Sequence, residues 1–425
     1  MFQWLEKNFV PVAARIGSQR HLVAIRDGFI SIMPLTILGS FAVLINNLPI
    51  KFYQNALDSI WDHGTWTQWG GNMWSASFGI ISLLLAFTVA YHLARSYDKD
   101  GLSAGVIGLA SYMTFGTFGE GGLSGLTTGT GGIFVALIAA LVSSEIFSRL
   151  SGNSKLLIKM PDSVPPAVSK SFAALLPAII TVGSIALIRT IISAGFEIPD
   201  IIGSFYTAIQ EPFMGLTNTW VAALLLAFIP AFLWTLGVHG ANIIDPFMQT
   251  INLPAIDANV AALASGDVAP YIINKPFFDA FVNMGGSGTT IALVIAIFII
   301  ARKNKQYSTV GKLSAGPGLF NINEPLLFGL PIVLNPLLVI PFIMTPMVNV
   351  SIAYFATKFG LVPAATIAAP WVTPPVINGF LVTQSWAGAA LSLFLIVLSV
   401  CIYLPFVAMA NRTAKIQEEK AAASK

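Results

Sequence analysis

Nine apolar runs recur along the chain, near residues 28–48, 76–95, 101–118, 132–149, 171–192, 218–238, 287–301, 334–357 and 385–408. A helix needs about 20 apolar residues to cross a bilayer. Repetition near that length constrains the fold more than any single motif, because backbone amides in lipid must be satisfied within the segment. Composition agrees: 10% of the 425 residues are charged and 55% are hydrophobic, outside the range of a water-soluble domain. The expected fold class is an all-α polytopic membrane protein.

Most of the 22 basic residues fall in five patches: Lys7 to Arg26, Arg95 with Lys99, Arg149 to Lys170, Arg302 to Lys312, and Arg412 to Lys425. The positive-inside tendency makes these patches cytoplasmic, so both termini are expected inside. The alternate loops 49–72, 119–131 and 193–217 hold only Lys51 and read as external. The first of them carries Trp61, Trp66, Trp69 and Trp74, as an interfacial aromatic belt does. Parity then requires one further crossing between 239 and 286, where Asp245, Asp257, Asp267, Lys275 and Asp279 alternate with Pro246, Pro254, Pro270 and Pro276. A broken crossing or a re-entrant hairpin is expected there in place of a uniform helix. The total becomes ten, with further re-entrant segments over 313–331 and 360–383 that need not span.

Residues 1–26 lack the continuous apolar core of a signal peptide. They carry Phe2, Leu5, Phe9, Val12 and Ile16 opposite Lys7, Arg15 and Arg20, the pattern of a helix lying on the membrane surface. Ordinary spans fill 27–200, whereas 201–410 contains the interrupted helices and most of the prolines. Transporters build substrate sites at broken helices. The first half is therefore expected to be scaffold or dimer-forming and the second the transport half, with a cytoplasmic linker at 150–169 and a cytoplasmic tail at 411–425.

An ionisable residue at membrane depth costs at least a few kcal/mol and is a functional candidate on that ground. Glu324 in "NINEP", flanked by Asn321 and Asn323, precedes Pro325, which suits a first helical position. It is either a helix cap near the surface or a ligand acceptor. His239 in "GVHGAN" is either a satisfied core histidine or its counterpart. "NMGGSGTT", from Asn283, presents backbone amides and hydroxyls or merely permits close packing. "APWVTPPVINGF" offers Trp371 and Asn378, the aromatic face and polar rim that a sugar site needs. Glu120 and Glu145 fall near span ends and receive no role. No histidine pair at metal spacing, phosphate-binding loop or nucleic-acid tract is present. The single Cys401 sits in an apolar run and cannot form an internal disulfide.

"KMPDSVPPAVSKSFAALLP", "HGANIIDP", "MGGSGTT" and "NINEPLLFGLPIVLNP", in that order, resemble the membrane-spanning IIC component of bacterial phosphotransferase-system (PTS) sugar transporters. More narrowly, the chain resembles the lactose, cellobiose and N,N′-diacetylchitobiose family. The resemblance implies a homodimer in the cytoplasmic (inner) membrane, of the glucose-superfamily kind, with ten transmembrane helices and two re-entrant hairpins. It implies that the C-terminal half carries a β-linked disaccharide in an elevator-like movement while the N-terminal half forms the dimer contact. His239 and Glu324 are implied to hold sugar hydroxyls, with Trp371 as platform and Asn242, Asn283, Asn323 and Asn378 as lesser contacts. Phosphate is implied to come from a phosphocysteine on a separate IIB protein, itself charged through IIA. A chain ending at Lys425 with no cytoplasmic cysteine is expected to leave that step to its partner, and neither a cofactor nor a metal is implied. The competing reading is a proton-coupled sugar symporter using Glu324 and His239 as the coupling pair, and a membrane-embedded hydrolase is a third.

Overall fold

Most of each apolar run falls on helix, with stretches such as 114–118, 236–238 and 287–289 left non-helical. The structure, a computed structural model, describes residues 10–48, 50–119, 122–156, 158, 160–161, 164–330, 332 and 335–423. Six helices among the described residues are long and apolar enough to cross a bilayer. A seventh arises if Ile201–Thr217 and Trp220–Thr235, bent by 80°, form one span. Gly101–Met113 and Thr290–Ala301 are apolar but shorter. The N-terminal surface helix is described only over Val10–Gly17. Residues 1–9, Glu120 and parts of the 150–169 linker lie outside the described residues.

The chain forms two compact units. The smaller comprises residues 15–39 and 71–213, and the larger 1–14, 40–70 and 214–425. Helix α1 (Arg20–Asn47) contributes to both.

In the smaller unit, α2 (Ile81–Arg95), α3 (Gly101–Met113) and α4 (Ile133–Leu150) pack on one another, and α5 (Pro166–Gly195) lies against α3 and α4. Small polar residues tie these elements, as is common where lipid supplies no hydrophobic drive between helices. The Ser144 hydroxyl donates to the Ala90 carbonyl (2.9 Å) and the Ser82 hydroxyl to the Gly129 carbonyl (2.6 Å). Glu145, on α4, gathers three partners: the Tyr97 hydroxyl, His21 Nε2 at 2.8 Å and the Arg149 guanidinium at 3.0 Å. The bond to Glu145 raises the Tyr97 phenol above its ordinary value, which keeps it a donor. Replacing Glu145 with Leu removes the acceptor of the Tyr97 hydroxyl and is expected to cost about 0.5–1.5 kcal/mol of stability, read from thermal unfolding in detergent; unchanged stability would remove the cluster as a tie.

The larger unit contains α6 (Trp220–Thr235), α7 (Gly240–Ala264), α8 (Lys275–Phe281), α9 (Thr290–Ala296), α10 (Lys305–Leu319), α11 (Glu324–Gly329), α12 (Pro336–Lys358), α13 (Ile377–Thr383) and α14 (Trp386–Ala423). No uniform helix fills 239–286: α7 runs through Pro246 and Pro254 to Ala264, and the stretch then breaks into short α8 flanked by irregular backbone. Each proline removes one helical hydrogen bond, and side chains re-satisfy freed groups where the helix is enclosed. The Thr250 hydroxyl, between the two prolines, donates back to the Pro246 carbonyl (2.6 Å). Between α7 and α9 the backbone is irregular over 265–274 and 282–289, and another helix-free stretch covers 360–376.

Two apolar cores hold this unit. One gathers Phe277, Phe278 and Phe281 of α8 with Val350 of α12, Leu381 of α13 and Leu395 of α14. The other gathers Leu293 of α9, Leu326 and Leu327 of α11, Phe342 of α12 and Tyr403 of α14. The short helices α8, α11 and α13 are too brief to persist alone. Burial in these cores fixes them, and with them the loops that they flank.

Candidate functional site

Four chain reversals of the larger unit build the site. At the first, α6 ends in a left-handed turn: Gly237 has φ +78°, its N–H donates to the Trp234 carbonyl (3.0 Å), and the Val238 N–H donates to Leu233 (3.1 Å). Only glycine enters that conformation freely. The turn leaves His239 immediately before α7, with its ring 4.2 Å from the Trp234 indole.

The second reversal, 320–323, delivers Glu324 as the first residue of α11, with Pro325 second. The Asn323 carbonyl accepts from the Leu326 and Leu327 N–H groups (both 3.0 Å). Glu324 Oε1 then stands 3.6 Å from His239 Nε2. Their side chains are 45% and 35% exposed respectively, so the pair opens outward and is not sealed in the core.

The other two reversals are braced by asparagines. Asn321, at φ +64°, accepts the Gly285 N–H on Oδ1 (2.7 Å), and its Nδ2 donates to the carbonyls of Trp371 (2.6 Å) and Thr373 (3.0 Å). One side chain thus links the glycine loop, the glutamate loop and the tryptophan loop. Asn323 Nδ2 donates to the Ser287 carbonyl (2.9 Å), and the Tyr403 hydroxyl donates to Gly288 (2.7 Å). Gly286, at φ +98°, lies against Asn323, where a Cβ would come within 2.6 Å of Asn323 Cγ. Gly286→Ala is therefore expected to cost about 1–3 kcal/mol of backbone strain and to weaken ligand binding by disturbing the brace. Thermal unfolding and a binding titration check this, and wild-type behaviour in both contradicts it.

Glu324 and His239 are thus brought together. Trp371 is half-buried and tied through its carbonyl, and Asn323 has its amide donor committed to the glycine loop. Asn283 is half-buried in the glycine loop, its carbonyl accepting from the Gly286 N–H (2.8 Å). Asn378 is fully buried in the first turn of α13, and neither its side-chain nitrogen nor its oxygen has a hydrogen-bond partner. Asn242 lies in the first turn of α7, its side chain outside the described residues. Chemically, a carboxylate beside an imidazole can accept hydroxyl hydrogens at both oxygens while the ring donates or accepts.

The profile of the family described as "Phosphotransferase system, EIIC" matches residues 26–346. The chain belongs to that family. Among similar proteins, the lichenan permease IIC component of Bacillus subtilis (strain 168) is 42% identical over 434 residues, covering 98% of this chain and 95% of that protein. The cellobiose-specific EIIC component of Geobacillus stearothermophilus is 36% identical, over 98% of this chain and 95% of its own length. The crystal structure of ChbC, the IIC component from the N,N′-diacetylchitobiose-specific phosphotransferase system, matches with a TM-score of 0.92 at 38% identity. That match covers 98% of this chain and 99% of ChbC.

Two residues of this EIIC chain matter more to the site's geometry than its sequence indicated. Asn321 was visible only as a flank of Glu324, yet it braces three loops. Trp234 packs on His239 and stands 6.2 Å, ring to ring, from Phe328 of α11. Its indole N–H is buried without a hydrogen-bond partner. The available signal was its place five residues before the histidine, in "WTLGVH".

Proposed function

We propose that this EIIC chain binds a β-linked disaccharide of the cellobiose or diacetylchitobiose type at the His239–Glu324 pair. It carries the sugar across the cytoplasmic membrane by an elevator-like movement of the 201–410 half and presents it to phospho-IIB. The observation that carries the reading is the 3.6 Å approach of two half-exposed ionisable groups, with the loop that carries Glu324 cross-braced by Asn321 and Asn323. A sugar hydroxyl finds an acceptor and an adjacent imidazole there, on a rigid support of the kind that binding sites require. Lichenan, cellobiose and diacetylchitobiose, the sugars in the relatives' names, all contain β-linked rings, which supports that linkage for this chain.

Ten crossings, both termini in the cytoplasm and a homodimer formed through the 27–200 half complete the proposal. The one cysteine, Cys401, lies on the apolar helix α14, so the phosphocysteine is expected on IIB, with IIA upstream of it. Trp371 serves as platform, and Asn242, Asn283, Asn323 and Asn378 complete the polar rim or its support. Calorimetric titration of the purified protein with cellobiose, diacetylchitobiose, lactose and maltose tests the sugar class. Binding of one or more β-linked sugars with maltose excluded is expected; preferential binding of α-linked maltose would overturn the assignment.

A further inference from the structure

We infer that the outer face of α10, together with Phe328 of α11, is the surface on which the phosphorylated IIB protein docks, an inference that rests on the function proposed above. Helix α10 turns Tyr307, Gly311, Ser314 and Gly318 into the unit. At about 3.6 residues per turn, Lys305, Lys312 and Leu313 fall on the opposite side. All three are exposed, Leu313 at 67%. Arg302 and Lys303, just before the helix, are exposed as well. Phe328, on α11, is 75% exposed. The two helices pack together, and a Cβ on Gly329 would stand 2.7 Å from Val310 Cγ1. Val310 lies between Lys305 and Lys312, and Glu324 is five residues from Gly329 along α11, about 7.5 Å. The face therefore borders the site.

Charge says what this face fits. From residue 280 to residue 417 Glu324 is the one acid, while Arg302, Lys303, Lys305 and Lys312 precede it within the same stretch. None of these four cations has a carboxylate partner among the described residues. Such a surplus raises the local concentration of an anion and speeds its approach. A phosphoryl group on a side chain carries about −1.5 to −2 charge at neutral pH, so phospho-IIB is drawn to this face more strongly than IIB that has given its phosphate away. Leu313 and Phe328 supply the apolar centre that a protein interface has inside its polar rim. An acidic lipid surface would match the same charges. The position of the face against α11, whose first residue is Glu324, favours the protein that must bring its phosphoryl group to the sugar held there.

The test uses the full chain in an uncharged detergent with no added lipid. Purified phospho-IIB is the donor, and the tighter binder of cellobiose and diacetylchitobiose is the acceptor. The double variant Lys305→Glu, Lys312→Glu is expected to raise the KM for phospho-IIB about tenfold and to flatten its dependence on salt, as loss of rim charges does. Its kcat and its calorimetric sugar affinity are expected to stay at wild-type values. Leu313→Asp is expected to raise the same KM several-fold at every salt concentration. If the charge-reversed variant does not fold, Lys305→Gln with Lys312→Gln removes the charges without reversing them, and a smaller rise in KM is expected. An unchanged KM in the folded variants overturns the inference. So does a KM that responds to the variants only when acidic lipid is added, which would make the face a membrane contact. A loss of sugar affinity equal to the rise in KM also overturns it, because the face would then act through the sugar site. A wild-type chain that binds sugar but takes no phosphate from phospho-IIB overturns the proposed function and this inference together.

Discussion

Replacing Glu324 with Gln is expected to weaken disaccharide binding by roughly ten- to a hundredfold, the equivalent of about 1.5–3 kcal/mol for hydrogen bonds to a charged group. The amide keeps the shape of the side chain but accepts at one position only and offers donors at the other. The fold should survive, because Leu326 and Leu327 anchor α11 in the core independently of the carboxylate. Titration of wild type and variant, with thermal unfolding as a control, reads the effect. Unchanged affinity and unchanged sugar phosphorylation would remove Glu324 from the site.

His239→Ala is expected to act differently, slowing phosphotransfer more than it weakens binding. His239 stands 3.6 Å from the carboxylate and packs on Trp234, so its ring is held in place beside the hydroxyl that Glu324 would hold. An imidazole so placed can take the proton from the sugar hydroxyl as its oxygen attacks the phosphorus and the S–P bond to IIB breaks, a contribution of about a hundredfold in rate. Single-turnover transfer from phospho-IIB at saturating sugar separates this step from affinity. A variant with normal transfer kinetics contradicts the role.

The helices were legible because their signal is length and apolarity, which lipid imposes on every segment independently. That 239–286 is not one uniform helix was legible from its prolines and charges, but the place of the break was not: α7 continues through Pro246 and Pro254 and ends at Ala264. Glu324 and His239 were legible for the converse reason: an ionisable group in apolar sequence is costly and so stands out. The brace was not legible. Asn321 reaches Gly285 on one side and Trp371 on the other, and pairings 36 and 50 residues apart leave no local trace. Glu145 received no role because it falls near a span end, and its bond to His21, 124 residues away, leaves no local trace. Asn378 was legible as a polar residue in a proline-rich stretch, but its complete burial follows from how α13 packs.

Uptake by vesicles containing the purified chain tests the central claim most directly. Labelled disaccharide is supplied outside, with IIA, IIB, the general phosphotransfer proteins and phosphoenolpyruvate inside. Accumulation of sugar phosphate that depends on both IIB and phosphoenolpyruvate, and disappears with Glu324→Gln, is the expected result. Accumulation of unmodified sugar driven by an imposed proton gradient, with IIA and IIB absent, would contradict the account.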